Sequence, residues 1–267
     1  MQKENSKKDK IFNMRQFWGS SLLAPYVDFR RDSEMYCVYC GEKADTREHC
    51  PSKAFLKKPL PTDLPTVPAC KKCNNGFSAD ERYTKKVIDF LYMYYIQKDD
   101  SFNISCMDDD RETKEAREAT KEFIKKPYFD ERMANVFRKL AICHAAYEIS
   151  VGFFCDDWQG KPESISYIIR PMVGDEAWKE LEYAEVIDDD FLPEIGSRVF
   201  GNIFVVQLDT QNIDTAQKTK INMCMLDWTD IQNGYYKYQA FLREEKIYVK
   251  IIFNDFLYAE VVFARET

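Results

Sequence analysis

Two Cys-x-x-Cys pairs, Cys37/Cys40 and Cys70/Cys73, flank the tripeptide Glu48-His49-Cys50, and Asn74-Asn75 follows the last cysteine at once. Four thiols in two such pairs match the demand of a structural Zn²⁺, which takes a tetrahedron of soft donors, each pair chelating from one tight turn. Twenty-nine residues separate Cys40 from Cys70, more than an ordinary ribbon needs, so the ion closes a loop that carries other residues. Among them is His49, one of only two histidines. An imidazole accepts a proton near pH 7. The carboxylate of Glu48 and the amide oxygen of Asn74 are hard donors that suit Mg²⁺ or Mn²⁺ better than Zn²⁺. A base and a hard cation together serve phosphodiester hydrolysis, so two chemically distinct metals are expected.

The run Cys37-x-x-Cys40, then Arg47-Glu48-His49-Cys50-Pro51, then Pro68-Ala69-Cys70-x-x-Cys73-Asn74-Asn75-Gly76-Phe77-Ser78 resembles the zinc-containing HNH endonucleases, whose site is a ββα-metal finger. The resemblance covers residues 37 to 85. It implies that Glu48 binds the catalytic cation, that His49 is the general base, and that Asn74 is the final metal ligand. The family usually places an Asn about five residues before the third cysteine, where it braces the loop holding the histidine. Here Pro65 stands in that place, which leaves Thr66 or a backbone carbonyl to do the bracing. Prolines at 59, 61, 65 and 68 stiffen the same loop.

The elements that must position these residues follow from periodicity. From Asn74 to Gln97 the spacing of Val87, Ile88, Leu91, Tyr94 and Tyr95 predicts a helix. Asn74, Ser78 and Glu81 then share one face. Glu81 is a further candidate ligand, with an exposed first-turn carboxylate favouring the helix dipole as the alternative. Cys50 lacks a partner at two-residue spacing and reads as a buried thiol, with replacement of one zinc ligand as its alternative. His49 has a structural role, or a fifth place at the zinc, as its own alternatives. His144 falls at helical spacing from Phe137, Leu140 and Ala141 and reads as core.

Beyond residue 100 the chain predicts an exposed helix over 111–126, an amphipathic helix over 130–150, strands over 166–173 and 198–208, and a short helix over 175–183. Strands over 221–228 and 235–242 flank Asn233-Gly234, and 247–253 pairs with 257–264 across Asn254-Asp255. Asp188-Asp189-Asp190 reads as a solvated loop. The expected fold is α+β: a lead segment over 1–36, a zinc-bearing ββα-metal finger over 37–100, and helices plus an antiparallel meander over 101–267. That last part is expected to choose a target, sense a trigger or dimerise.

Residues 1–100 hold 18 Lys and Arg against 14 Asp and Glu, whereas the remainder holds 20 against 31, so only the first part suits a polyanion. Lys53, Lys71, Lys72 and Arg82 are the candidate phosphate contacts. Nine cysteines, an odd number with two metal-like pairs, point to a reducing compartment. No apolar leader or span is evident, so a cytoplasmic protein with no membrane partner is expected. The activity expected is a metal-dependent endonuclease acting on nucleic acid, DNA first, with structural Zn and catalytic Mg or Mn. The alternative is a zinc-knuckle module that binds nucleic acid or protein without cutting.

Overall fold

A computed structural model describes residues 36–104, 109–149, 165–179, 181, 184–187, 197–211, 218–244 and 246–264. The aspartate run at 188–190 and nearly all of the lead segment lie outside these residues. The fold is α+β. A two-stranded hairpin, β1 (Thr46–His49) and β2 (Thr66–Ala69), leads into helices α1 (Lys71–Gly76) and α2 (Ser78–Tyr92). The outer helix α3 (Arg111–Lys125) and the central helix α4 (Glu131–Ile149) follow. Strand β3 (Ile165–Pro171), the short helix α5 (Asp175–Lys179) and strand β4 (Glu185–Val186) come next. The chain then runs through β5 (Ile203–Gln211), β6 (Lys218–Leu226), β7 (Thr229–Gln232), β8 (Tyr236–Arg243), β9 (Lys246–Phe253) and β10 (Leu257–Ala264).

Local chemistry explains the helix ends. The Asp110 carboxylate accepts from Thr113 N–H at 2.6 Å, and Asp130 accepts from Met133 N–H at 2.8 Å. These are side-chain caps for the starts of α3 and α4. On α3 the pairs Arg111–Glu115 (2.7 Å) and Lys121–Glu118 (2.7 Å) lie on the solvent side. The helix expected over 74–97 begins earlier, at Lys71, because Cys70 caps α1 through its own sulfur, which accepts from Cys73 N–H at 3.4 Å. Helix α1 ends at Gly76, Phe77 follows, and α2 starts afresh at Ser78.

The main sheet is antiparallel in the order β3-β10-β9-β8-β7, and β4-β6-β5 form a second, three-stranded sheet. Both expected turns are present. Gly234 sits at φ +67°, Asn254 at +50° and Asp255 at +47°, the left-handed conformations that tight hairpins require. The strand expected from 198 begins at Ile203, since 199–202 form a 3₁₀ turn, and β7 was not foreseen.

Because side chains alternate along a strand, one face of the main sheet presents Tyr236, Tyr238, Ile251, Phe253, Leu257 and Val261, all buried. Helix α4 lies on this face against β8, β9 and β10, and its other side meets α2 and β2. That double covering explains why residues 139–146 of α4 are all buried, where a one-sided amphipathic stripe was expected. The core therefore does not divide near residue 100. Val38, Phe55, Val67, Val87 and Leu91 join the same cluster as Phe137, Leu140, Val249 and Phe263. The loop between β1 and β2 is also tied down, with Gln232 exchanging hydrogen bonds with Lys57 N–H and carbonyl, both at 2.9 Å. Among the described residues no helix is long and apolar enough to cross a membrane.

Candidate functional site

The four paired cysteines converge. The first pair lies on a tight turn in which Gly41 N–H donates to the Cys37 carbonyl at 2.9 Å and Gly41 takes φ +71°. The second pair spans the start of α1. All four sulfurs lie within 4.8 Å of one another, and Cys40 Sγ is 3.7 Å from Cys70 Sγ. That spacing is far too long for a disulfide, whose sulfurs sit about 2.05 Å apart. It matches the edge of about 3.8 Å of a tetrahedron with metal–sulfur bonds of about 2.3 Å. The donor set thus fits one soft metal ion with no open position.

Burial pushes Cys40 up from the ordinary thiol range, and burial together with hydrogen bonds to Cys40 and Cys70 pushes Cys73 up. At Cys70 burial is outweighed by hydrogen bonds from Cys73 N–H and the neighbouring thiols, which bring it down. Cys50 takes no part in the cluster. It is buried, with its sulfur 3.4 Å from Nδ1 of His144. All seven described cysteines are free of disulfides.

Strand β1 separates the residues that the sequence placed together. Side chains alternate, so Thr46 and Glu48 face α1 and α4, while Arg47 and His49 face outward. The Thr46 hydroxyl donates to the Ala69 carbonyl at 2.8 Å, and Asn74 Nδ2 donates to Thr46 Oγ1 at 3.1 Å and to the Arg47 carbonyl at 3.5 Å. On the outer face Arg47 donates twice to Thr66, to the hydroxyl at 2.7 Å and to the carbonyl at 2.8 Å. Thr66 is also the cross-strand partner of His49. The bracing left open by the absent Asn comes from backbone, since Cys50 N–H donates to the Pro65 carbonyl at 2.8 Å.

His49 is partly exposed. Partial burial, and then the nearby Lys53 ammonium, lower its pKa, so the ring is neutral at pH 7 and can accept a proton.

Glu48 is buried and paired with a cation of the protein itself. Its side chain is only 8% exposed, and its Oε1 lies 3.3 Å from Nζ of Lys139 on α4. The same Nζ lies 2.5 Å from Glu81 Oε1 and 5.3 Å from the centre of the Phe77 ring. Burial raises the Glu48 pKa, partly offset by Lys139. Glu48 and Glu81 therefore face an ammonium ion inside the protein. Glu81 is thus not the exposed first-turn carboxylate of the alternative reading. Asn74 directs its amide nitrogen to β1 and braces the hairpin.

The candidate phosphate contacts also separate. Lys53, Lys71 and Lys72 are exposed, with Lys71 N–H held by Asp45 Oδ1 at 2.8 Å. Arg82 is 3.8 Å from Glu112, on the side of α2 that meets α3. Arg82 is itself exposed. Residues that sequence reasoning missed are Lys139 and Arg47. The signal for Lys139 was a lone cation within the apolar spacing of Val136, Leu140 and Cys143. A groove of about 600 Å³ beside α3, lined by Tyr83, Glu115, Glu118, Asp130 and Arg132 among others, is too acidic to attract phosphate. Comparison with known proteins found no matching family model, no matching curated protein and no matching solved structure.

Proposed function

We propose that this chain is an endonuclease that hydrolyses phosphodiester bonds in nucleic acid, with His49 as general base on the outer face of a zinc-clamped hairpin. The observation that carries the reading is the placement of His49. A neutral, partly exposed imidazole ends β1, beside Lys53 and opposite Thr66, on a hairpin whose base holds a four-thiol cluster. Zinc is the proposed occupant, because four thiolates in a tetrahedron suit it and leave no position for substrate, which makes its role structural.

In the reaction His49 accepts a proton from water, and the hydroxide formed attacks phosphorus in line. The Lys53 ammonium meets the charge that grows on the phosphoryl oxygens, and as the new P–O bond forms the bond to the 3′ oxygen breaks, that oxygen taking a proton from solvent water to leave as a hydroxyl. Lys71 and Lys72 at the start of α1 hold neighbouring phosphates and set the register of the strand. DNA is proposed as the substrate on the strength of the HNH resemblance. The same resemblance adds Mg²⁺ or Mn²⁺ held by Glu48 and Asn74. That donor set does not fit, since Glu48 lies on the opposite face of β1 from His49 and is paired with Lys139.

The Lys139 pairing favours a second reading, a zinc-clamped module that binds nucleic acid without cutting it. One experiment separates the two. The purified full chain and His49→Ala are incubated with plasmid, single-stranded DNA and structured RNA, with Mg²⁺, Mn²⁺ or EDTA. Cleavage by the wild type that disappears in His49→Ala supports the hydrolase. Binding without cleavage by the wild type supports the module.

A further inference from the structure

We infer that Lys139 fills, with its ammonium group, the seat that Glu48 and Glu81 would otherwise offer to a divalent cation, so this part of the protein takes up neither Mg²⁺ nor Mn²⁺. Three elements build the seat: β1 supplies Glu48, α2 supplies Glu81, and α4 reaches in with Lys139. The nitrogen sits 3.3 Å from one carboxylate and 2.5 Å from the other, with the face of Phe77 at 5.3 Å. The side chains are 1%, 8% and 10% exposed for Lys139, Glu48 and Glu81.

Mg²⁺ gives up its water shell reluctantly and usually keeps several waters in a protein site. Side chains buried to this degree leave little room for such a shell, and a divalent ion entering would strand a buried ammonium without its partners. An ammonium suits the same space better, since its donors meet two carboxylates and an aromatic face with no water retained. The inference deepens the proposed hydrolase by naming the cation beside β1, and it rests on the hairpin geometry, not on cleavage.

The test is Mn²⁺ titration of the zinc-loaded full chain, with free Mn²⁺ followed by electron paramagnetic resonance. Wild type, Glu48→Gln, Lys139→Ala and the Lys139→Ala/Glu48→Gln pair are compared. Wild type and Glu48→Gln should give the same titration curve up to millimolar Mn²⁺. Lys139→Ala, which frees two carboxylates, should gain one site about tenfold tighter or more, and the double variant should lose it. A wild-type Mn²⁺ site removed by Glu48→Gln overturns the inference. So does a folded Lys139→Ala protein that gains no site. Should Lys139→Ala fail to fold, the wild-type and Glu48→Gln curves alone decide. Catalytic inactivity of the protein leaves this result untouched, and a failure here leaves the base role of His49 standing.

Discussion

Acid should weaken this protein through one buried imidazole, His144, by an amount that the structure allows to be worked out. Its Nδ1 is 3.4 Å from Cys50 Sγ, its Nε2 is 2.8 Å from the Tyr236 hydroxyl, and its ring stacks on Tyr238 at 3.8 Å. Burial raises the pKa of the Cys50 thiol and of both tyrosines, so these neighbours offer an imidazolium no counter-charge. Glu148 lies beyond Tyr238, to which it is hydrogen-bonded, and burial raises its pKa too. Burial, then repulsion from Arg198, lower the His144 pKa from 6.5 to about 3.

A folded pKa below the unfolded one contributes stability that is complete above pH 6.5 and is lost as pH falls toward 3. At about 1.4 kcal/mol per unit the full loss is about 5 kcal/mol, of which about 2 kcal/mol is reached by pH 5. Against a typical total of about 5–15 kcal/mol that is easily read. Urea unfolding of wild type and His144→Gln at pH 7, 6 and 5 isolates the effect, because the difference between them should shrink by about 2 kcal/mol over that range. An NMR titration completes it: with two histidines, one ring signal should move below pH 6.5 and the other stay unmoved to pH 5. Equal pH slopes for the two proteins, or a His144 ring that titrates near 6.5 in the folded state, would refute the reasoning.

The remaining predictions concern the hairpin. Purified protein should carry about one equivalent of zinc, and Cys73→Ser should lose it together with cooperative unfolding, as read by metal analysis and circular dichroism. His49→Ala should cut turnover by about 100-fold or more with zinc content unchanged. The acid limb of the wild-type rate profile should lie below pH 6.5, and Lys53→Met should move it upward by removing the ammonium that helps hold the His49 pKa down. Lys71→Ala and Lys72→Ala should each flatten the salt dependence of DNA binding by about one unit of slope, whereas Arg82→Ala should leave it unchanged, since Arg82 faces Glu112.

The sequence made the cysteine cluster legible because metal-binding knuckles are local: two residues between ligands already set the geometry. The tight turns at Asn233-Gly234 and Asn254-Asp255 were legible for the same reason, and so was His144, whose helical spacing put it among core positions. What escaped depends on contacts between distant segments. The partner of Glu48, Lys139, comes from a helix far along the chain. The neighbour of Arg82, Glu112, is likewise brought to it by α3. The expected boundary near residue 100 followed from the end of the helix expected over 74–97, but the apolar faces of α2, α4 and the main sheet close over one core. Cap chemistry explains the missed helix start, because a cysteine is not read from sequence as the residue that begins a helix.

The four-residue pairing of β1 with β2 also makes the site depend on counting. Thr46 pairs with Ala69 and His49 with Thr66. A slip of one residue would exchange the two faces of β1, carrying the imidazole into the core and the carboxylate out to water. So short a ladder holds its alignment only with help from outside it. Cys70 follows β2 directly, Asp45 N–H donates to the Ala69 carbonyl at 3.3 Å, and Arg47 grips Thr66. The sulfur cluster thus acts as a register pin for the strand that ends in His49. An insertion of one residue between Cys40 and Thr46 would put the clamp and the pairing at odds. In this protein the parity of the distance from the cysteine cluster to the histidine decides whether the hairpin presents an imidazole to solvent or buries it.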